Sequence, residues 1–266
     1  MKCFVIGDGT KDVLSSFMSP KLPLYLAYSD IRQRYRRSTL GPFWITLSTA
    51  IMITCVGLIF SRIYASSANV FLPYLACGII SWNFISSTLN DATRVFSSAE
   101  AIIKQLPLPL FVHVERMVAR NFYIFLHNLI ILPVLYLLIN KSIEPAVILL
   151  VPGVVLLIGN LLWMSLSIGI ICSRYRDLQQ IVSSILQIFF YITPILWMPN
   201  LVSGRVNTYL LNFNPLYHFI ELIRAPLVGQ YPSLLSWGVA LSIFVFGSVF
   251  TNLIFNKFKR RIAYWL

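Results

Sequence analysis

Charged residues are scarce in this chain. They make up 11% of its 266 residues, whereas 58% of the residues are hydrophobic. Soluble domains average about 25% charged residues, and a soluble fold has no way to bury this much apolar surface. The composition therefore predicts a protein that uses the lipid bilayer as its solvent, and the length suits one membrane domain over residues 1–266.

Motifs for catalysis, nucleotide binding and metal binding are also missing. The chain has no Gly-x-x-x-x-Gly-Lys-Ser/Thr segment, so we expect no ATP bound to this chain. The three histidines are scattered, and the four cysteines lack metal-type spacing. None of the nine carboxylates falls at the centre of a predicted span, where ion-coupled transporters need ionisable groups. We therefore expect a chain that is not an enzyme, holds no cofactor or metal, and draws its energy from a partner.

The basic excess, a net charge of +12, is the other departure from an average composition. In a soluble protein it would favour nucleic acid as a partner. Here the basic residues lie between apolar runs, which favours anionic lipid headgroups and makes membrane lipids the expected partners instead. No nucleic-acid partner is expected.

Six stretches free of Asp, Glu, Lys and Arg are long enough to span a bilayer. They are 41–60, 63–90, 121–140, 145–173, 178–204 and 225–256. With six spans, 17 Lys and Arg residues fall on the side that holds both termini and four on the other. The positive-inside rule then places both termini in the cytoplasm. The first residues lack the features of a cleaved signal peptide.

An amphipathic helix is predicted before the first span, over residues 22–40. Leu24, Tyr28, Ile31 and Tyr35 recur at helical spacing, and four arginines cover the rest. These are Arg32, Arg34, Arg36 and Arg37. We expect the helix to lie in the membrane interface and its arginines to meet lipid phosphates; the alternative is a basic flank that only sets topology.

A short helix is predicted between spans two and three, over residues 97–106. Ser97 and Glu100 have the spacing of a capping box, and Pro107 ends the helix. Its exposed apolar residues, Ile102, Ile103 and Leu106, suit docking to a partner protein. The alternative is a helix resting on the membrane surface.

The segment 199–226 is predicted to be re-entrant on the external side. Asn214 and Pro215 read as an N-cap and first helical residue of a helix over 216–225 that ends before Pro226. A further short helix is predicted over 203–213. Both are apolar and too short to span.

Polar but uncharged residues form one stripe on span five. They are Gln180, Ser183, Ser184, Gln187 and Tyr191. Phe189, Phe190 and Trp197 add aromatic rings near its external half. Hydroxyls, amides and rings can contact a sugar chain without holding it tightly. The alternative is hydrogen bonding between helices together with an interfacial aromatic belt.

Three segments resemble the ABC-2 type permeases that export polysaccharides. They are residues 30–44 (DIRQRYRRSTLGPFW), residues 175–197 with their YRDL and TPILW motifs, and residues 214–226 (NPLYHFIELIRAP). The similarity runs through nearly the whole chain. It is closest to O-antigen export permeases of Gram-negative bacteria, with capsule and teichoic acid exporters as near neighbours.

The resemblance implies a homodimer of six-span subunits in the bacterial inner membrane. Two cytoplasmic ATPase subunits would bind ATP and Mg²⁺, and the polysaccharide would be linked to undecaprenyl pyrophosphate. Spans one and five would line a channel between the two copies. The segment around Glu100, with Ile102, Ile103 and Lys104, would be the coupling helix; many relatives carry Asn near the position of Glu100.

The remaining site residues predicted in this frame lie in the spans and the external segment. A channel surface is predicted at Gln180, Ser183, Ser184, Gln187, Phe190, Tyr191 and Trp197. An external gate is predicted at Asn214, Pro215, Tyr217, Glu221 and Arg224. The alternatives are a permease for a drug, a lipid or another polymer, a glycan polymerase or ligase that would use Asp91, Asp177 and Glu221, and a passive channel or scaffold.

Overall fold

All regular secondary structure described in the computed structural model is helical, as the sequence predicts. The structure describes residues 7–34, 36, 41, 43–142, 144–199 and 211–266. The helices are α1 (Asp8–Phe17), α2 (Lys21–Arg34), α3 (Phe43–Ile63), α4 (Ala68–Ala92), α5 (Glu100–Gln105), α6 (Phe111–Leu129), α7 (Ile131–Leu138), α8 (Leu150–Arg174), α9 (Leu178–Ile192), α10 (Pro215–Val228) and α11 (Leu234–Trp265). Single 3-10 turns at Ser97–Ala99 and Pro145–Leu149 precede α5 and α8.

Five of the described helices are long and apolar enough to cross a membrane. They are α3, α4, α6 with α7, α8 with its preceding turn, and α11. The α9 helix is apolar but has 15 residues, about 22 Å at 1.5 Å per residue, against a hydrocarbon core of about 30 Å. An all-α polytopic membrane protein is thus confirmed, and the number of six spans stays a prediction.

The predicted fifth span, 178–204, is wrong in its second half. The α9 helix ends at Ile192 because Pro194 restricts the residue before it, and Thr193 adopts extended backbone with ψ 135°. Thr193, Pro194 and Ile195 are buried within the protein, which is where irregular backbone at membrane depth is tolerated. Residues 200–204 lie outside the described part of the chain.

The predicted boundary between the helix 216–225 and the sixth span, 225–256, is also wrong. The α10 helix continues through Pro226 and ends at Val228, where Gly229 adopts a φ of +92° and caps the helix. Ser233 then accepts a hydrogen bond from the Ser236 N–H and starts α11, which runs to Trp265. A proline in a last turn costs only one hydrogen bond, so the left-handed glycine rather than the proline ends the helix.

The α4 helix is the central one. In its most apolar 18-residue window 67% of residues are buried, against 17% for α3 and for α11. Neighbouring helices α3, α6, α8, α9 and α10 all pack against it. The outer helices α3, α9 and α11 therefore present most of their surface to lipid or to other chains.

Different helices lie at the two ends of the bundle. We call one the basic end; it holds α1, α2, α5, the start of α6 and the last turns of α11. Here Asp12 of α1 accepts hydrogen bonds from the Leu110 and Phe111 N–H groups at 3.1 and 3.0 Å and pairs with Lys259 at 2.9 Å. The sequence did not predict α1, which fastens the start of α6 to the end of α11. The opposite end holds α10, and we call it the α10 end.

Close backbone contact at the α10 end depends on Gly153 of α8. Pro226 has no N–H, so the Leu222 carbonyl lacks its helical donor, and Gly153 packs directly against that carbonyl. A Cβ at position 153 would lie 2.7 Å from the Leu222 oxygen. Because the contacting atom of Leu222 belongs to the backbone, it cannot move aside as the end of a flexible side chain could.

We expect Gly153→Ala to destabilise the protein by about 1–3 kcal/mol, because α8 must move away from α10. Gly238→Ala is the matched control: no described atom lies within 4 Å of its Cβ position. Since alanine is the better helix former, the control should be neutral or stabilising by up to about 1 kcal/mol. Thermal unfolding of both variants in the same detergent measures this; equal losses of stability would contradict the packing described.

Candidate translocation surface and coupling segment

The predicted stripe on α9 lies on the surface of the chain. Leu186 is the one buried residue of this helix, and the five stripe residues are all exposed. They are Gln180, Ser183, Ser184, Gln187 and Tyr191. Exposed amides and hydroxyls are costly against hydrocarbon. This face of α9 therefore calls for a polar neighbour, either another chain or a water-filled passage.

Hydrogen bonding between helices accounts for one member of the stripe. The Ser183 hydroxyl donates to the Asn90 side-chain oxygen of α4 at 2.9 Å. Among the described residues, the side chains of Gln180, Ser184 and Gln187 make no hydrogen bond within the chain. The predicted alternative thus holds for Ser183 and leaves four of the five stripe side chains, including the Tyr191 hydroxyl, without a hydrogen-bond partner among the described residues.

The predicted aromatic residues divide between packing and exposure. Phe190 is half-buried, with its ring centroid 5.6 Å from that of Trp82 on α4. Trp197 is also half-buried and donates its indole N–H to the Tyr191 carbonyl at 3.2 Å. Tyr191, at 62% exposure, is the ring that α9 offers to a partner or substrate.

The segment 97–106 forms at the basic end, but without the predicted capping box. The Ser97 hydroxyl donates to the Arg94 carbonyl instead of capping α5, because residues 97–99 form a 3-10 turn and Ala99 is the N-cap. Glu100 pairs with Lys104 at 2.6 Å on the exposed side of α5, and this hydrogen bond lowers the carboxyl pKa below its usual value.

The apolar residues of α5 are only partly used inside the chain. Ile103 packs against the buried cluster that includes Phe96 and Phe255, whereas Ile102 is half-buried and Leu106 is 52% exposed. The segment is therefore held to the end of the bundle by one isoleucine and keeps apolar surface for a partner.

The basic residues of α2 are exposed, and the helix packs differently from the predicted stripe. Ile31, together with Pro23 and Ala27, is buried, and α2 packs on α6. Leu24 and Tyr28 instead lie on the exposed side with Tyr25. The prediction placed Leu24, Tyr28 and Ile31 on one apolar face, and this was wrong. The helix has two apolar faces: one packs against the protein, and the other is exposed on its surface.

The predicted lipid-binding arginines that the structure describes, two in α2 and one just after it, have exposed side chains at the basic end. Arg32, Arg34 and Arg36 are exposed, and none has an ion pair within the described residues. Arg37 lies outside the part of the chain that the structure describes. The ion pairs that do hold α2 to the bundle come from Asp30, which contacts Arg116 and Arg120 of α6. Residue spacing gives no signal for these long-range pairs, and the sequence prediction missed them.

At the α10 end, Arg224 joins three parts of the chain. Its side chain is nearly fully buried; Nη1 donates to the Pro194 carbonyl at 2.7 Å and Nη2 to Glu221 at 2.6 Å. The guanidinium carbon lies 4.2 Å from the Tyr74 ring centroid, and the Tyr74 hydroxyl donates to the same carbonyl at 3.0 Å. The irregular backbone after α9 is therefore bound to α4 and α10.

The other residues of the predicted gate lie around this cluster. Asn214 caps α10 by accepting from the Leu216 and Tyr217 N–H groups, with Pro215 as the first helical residue, as predicted. The Asn214 amide also donates to the Thr193 hydroxyl at 2.8 Å. Tyr217, Glu221 and Arg224 line one cavity of about 250 Å³. The predicted helix over 203–213 lies mostly outside the described residues.

Together these features define a multi-pass membrane protein with an exposed polar helix and a partly free docking segment. Comparison with known families then identifies it: the chain belongs to the ABC-2 type transporter family, whose model matches residues 24–228. It is therefore the membrane subunit of an ABC-type transporter.

Individual relatives cover most of the chain at modest identity. An O-antigen export system permease protein RfbA of Myxococcus xanthus is 23% identical over 205 residues, 77% of this chain and 79% of the relative. Two proteins of the same name from Klebsiella pneumoniae are each 24% identical, over 250 and 253 residues, and both alignments cover 91% of this chain and 93% of the relative.

Replacing Arg224 with Gln is expected to destabilise the α10 end. Glu221 would be left as a partly buried, uncompensated charge and the Pro194 carbonyl would lose its charged donor, a cost of about 2–4 kcal/mol. Arg224→Lys should recover only part of it, because one ammonium cannot meet both acceptors and stack on Tyr74. Protease resistance and thermal unfolding measure the effect; Arg62→Gln, an exposed arginine at the end of α3, is the control. Equal stability of the two glutamine variants would contradict the role of Arg224.

Proposed function

We propose that this chain is the membrane subunit of an exporter of undecaprenyl-pyrophosphate-linked polysaccharide, in the first place O-antigen. Two copies work with two ATPase subunits, which bind ATP and Mg²⁺. The polysaccharide moves from the cytoplasmic to the periplasmic side of the bacterial inner membrane. The chain itself carries out no chemical step.

The exposed stripe on α9 is the observation that carries this proposal. Gln180, Ser184 and Gln187 have no partner within the described chain, yet they lie on a helix of otherwise apolar composition. A passage between two copies would give them water and sugar hydroxyls as partners. Uncharged donors and acceptors suit a long neutral polymer, since each contact is weak enough to exchange as the polymer advances.

The second helix proposed to line the passage is α3. Both α3 and α9 pack against α4 and leave most of their remaining surface exposed. Facing copies of these two helices would cover that surface in a homodimer. The similarity to three O-antigen export permeases adds support for O-antigen as the substrate.

The basic end is proposed to face the cytoplasm. It holds α1, the last turns of α11 and the arginines of α2, which agrees with the positive-inside rule. The ATPase would then bind α5 through Ile102 and Leu106, with Glu100 and Lys104 beside them. Arg32, Arg34, Arg36 and Arg37 would meet the pyrophosphate of the arriving lipid. At the periplasmic side, α10 with Asn214, Pro215, Tyr217, Glu221 and Arg224 would border the exit.

A permease for capsule, teichoic acid or another lipid-linked polymer is the second candidate, because a neutral polar stripe does not identify the sugar. A glycan polymerase or ligase is disfavoured by geometry. Asp91 pairs with Arg120 at 2.8 Å near the basic end, and Glu221 pairs with Arg224 at the α10 end. Asp91 and Asp177 line one cavity beside the start of α9, whereas Glu221 lies at the α10 end and cannot join them. Asp91 and Glu221 are moreover already used in ion pairs, which leaves Asp177 without the second free carboxylate that acid–base catalysis would need.

Export is tested in a strain that lacks the gene and retains the companion ATPase. We expect undecaprenyl-linked glycan to accumulate inside the cell and wild-type protein to restore surface glycan. Gln187→Leu should slow export roughly fivefold, since losing one net hydrogen bond is worth about 1 kcal/mol. Ile188→Leu, at the neighbouring exposed apolar position, is the matched control and should leave the rate unchanged.

A charged residue introduced on the exposed apolar surface of α5 tests binding of the ATPase separately from transport along α9. Leu106→Asp is expected to leave membrane insertion intact and abolish both export and ATPase binding in a pull-down, because it places a carboxylate in the apolar contact. Loss of all glycan in the deletion strain would instead indicate synthesis, and unchanged surface glycan would exclude polysaccharide as the substrate.

A further inference from the structure

A second polar feature lies at the basic end, away from the α9 stripe. A cavity of about 290 Å³ opens between α2, α4, α6 and the 3-10 turn that leads into α5. Its polar lining is supplied by Asp30, Asp91, Arg94, Ser98, His113, Arg116 and Arg120. Each of the four elements around it contributes at least one of these residues.

The walls of the cavity are held by a network of ion pairs. Arg116 Nε donates to Asp30 at 2.8 Å, and Arg120 reaches Asp30 at 3.7 Å and Asp91 at 2.8 Å. Asn121 also donates to Asp91, at 3.0 Å. The position of each wall therefore depends on its neighbours, and the arginines cannot swing away without breaking these pairs.

Two buried groups in this wall have no partner. His113 is 3% exposed, and neither of its ring nitrogens has a hydrogen-bond partner among the described residues. The Arg120 Nε–H is likewise buried and unpaired within the described chain. Buried polar groups without partners are rare, so unpaired nitrogens in the wall of a polar cavity indicate a ligand that accepts hydrogen bonds.

The charge balance identifies the ligand more closely. The cavity has three arginines and two aspartates, which leaves one positive charge when the imidazole is counted as neutral. Arg94 supplies it: its Nε is held by Gln179 at 3.1 Å, and it makes no ion pair within the described residues. An anion of charge −1 with several oxygens would balance the cavity, whereas a diphosphate, which carries at least two negative charges, would leave the cavity with a net negative charge.

We propose that this cavity binds the phosphodiester group of a membrane phospholipid. A phosphodiester carries one negative charge and accepts from arginine and imidazole donors alike. The exposed residues Leu24, Tyr25 and Tyr28 of α2 are of the kind that lies at a membrane interface. The acyl chains would extend into the bilayer beside this helix, and the headgroup would join α2, α4 and α6 next to the turn that leads into α5. The site does not depend on the identity of the transported polymer.

The test is ligand binding to the purified, delipidated full chain, followed by native mass spectrometry. Short-chain phosphatidylglycerol is the probe, and saturable binding of one molecule per chain is expected. Arg94→Gln and His113→Phe should each weaken it at least tenfold. His113→Gln, which restores a donor, should recover part of the affinity, and Arg260→Gln, an exposed ion pair at the same end, should change it less than twofold.

Two further probes distinguish sources of the anion. Inorganic phosphate should compete only weakly, and farnesyl diphosphate should bind no more tightly than phosphatidylglycerol. Tighter, Arg94-dependent binding of either one would overturn the assignment to a phospholipid, as would equal phosphatidylglycerol binding by all variants. If a variant fails to fold, the ¹⁵N shifts of the His113 ring in the wild type serve instead. They should move on addition of phosphatidylglycerol, and unchanged shifts would overturn the proposal.

Discussion

The bond from Arg224 to the Pro194 carbonyl is the interaction on which the α10 end depends. Hydrocarbon offers no hydrogen-bond partner to irregular backbone, so the chain must supply one wherever a helix stops at membrane depth. Here α9 stops after 15 residues, and one buried guanidinium together with the Tyr74 hydroxyl satisfies the carbonyl that follows. The packing of α10 against α4 follows from the same need, because Arg224 must reach Pro194 from the α10 side.

Ionisable groups perform a comparable task at the basic end. Asp12 joins α1 to the start of α6 and to Lys259, and Asp30 and Asp91 join α2, α4 and α6 through two arginines. Carboxylates that hold helices together are not free to move protons. The exposed face of α9 itself is uncharged, which is the condition that the proposed passage of a polymer requires, since strong ion pairs would hold the polymer in place.

Hydropathy predicted helix ends correctly where charged residues lie next to them. It predicted them wrongly where a change in backbone conformation ends the helix. The spans at α3, α4 and α8 were located within a few residues because Arg, Asp or Glu lies near their ends. The start of the third span, predicted over 121–140, was wrong: α6 begins at Phe111 and carries Glu115, Arg116 and Arg120 inside the helix. The ends of α9 and α10 were misplaced: Thr193 and Gly229 mark them, and neither interrupts an apolar run. The polar α1 helix has no hydropathy signal, and the pair of Asp30 with Arg116, 86 residues apart, leaves no trace in local spacing. The Asn214 cap was predictable because its partners are two and three residues away.

The contacts of α9 explain how one helix can be fixed at its ends and open along its middle. Its start is joined to the segment after α4 by the Arg94–Gln179 hydrogen bond, next to the turn that leads into α5. Its other end is held through Pro194 by Arg224. Between these points Leu186 is its one buried residue. The segment that leads into α5 is therefore linked to the start of α9 by a single exposed hydrogen bond, whereas the other end of α9 is held by a buried guanidinium.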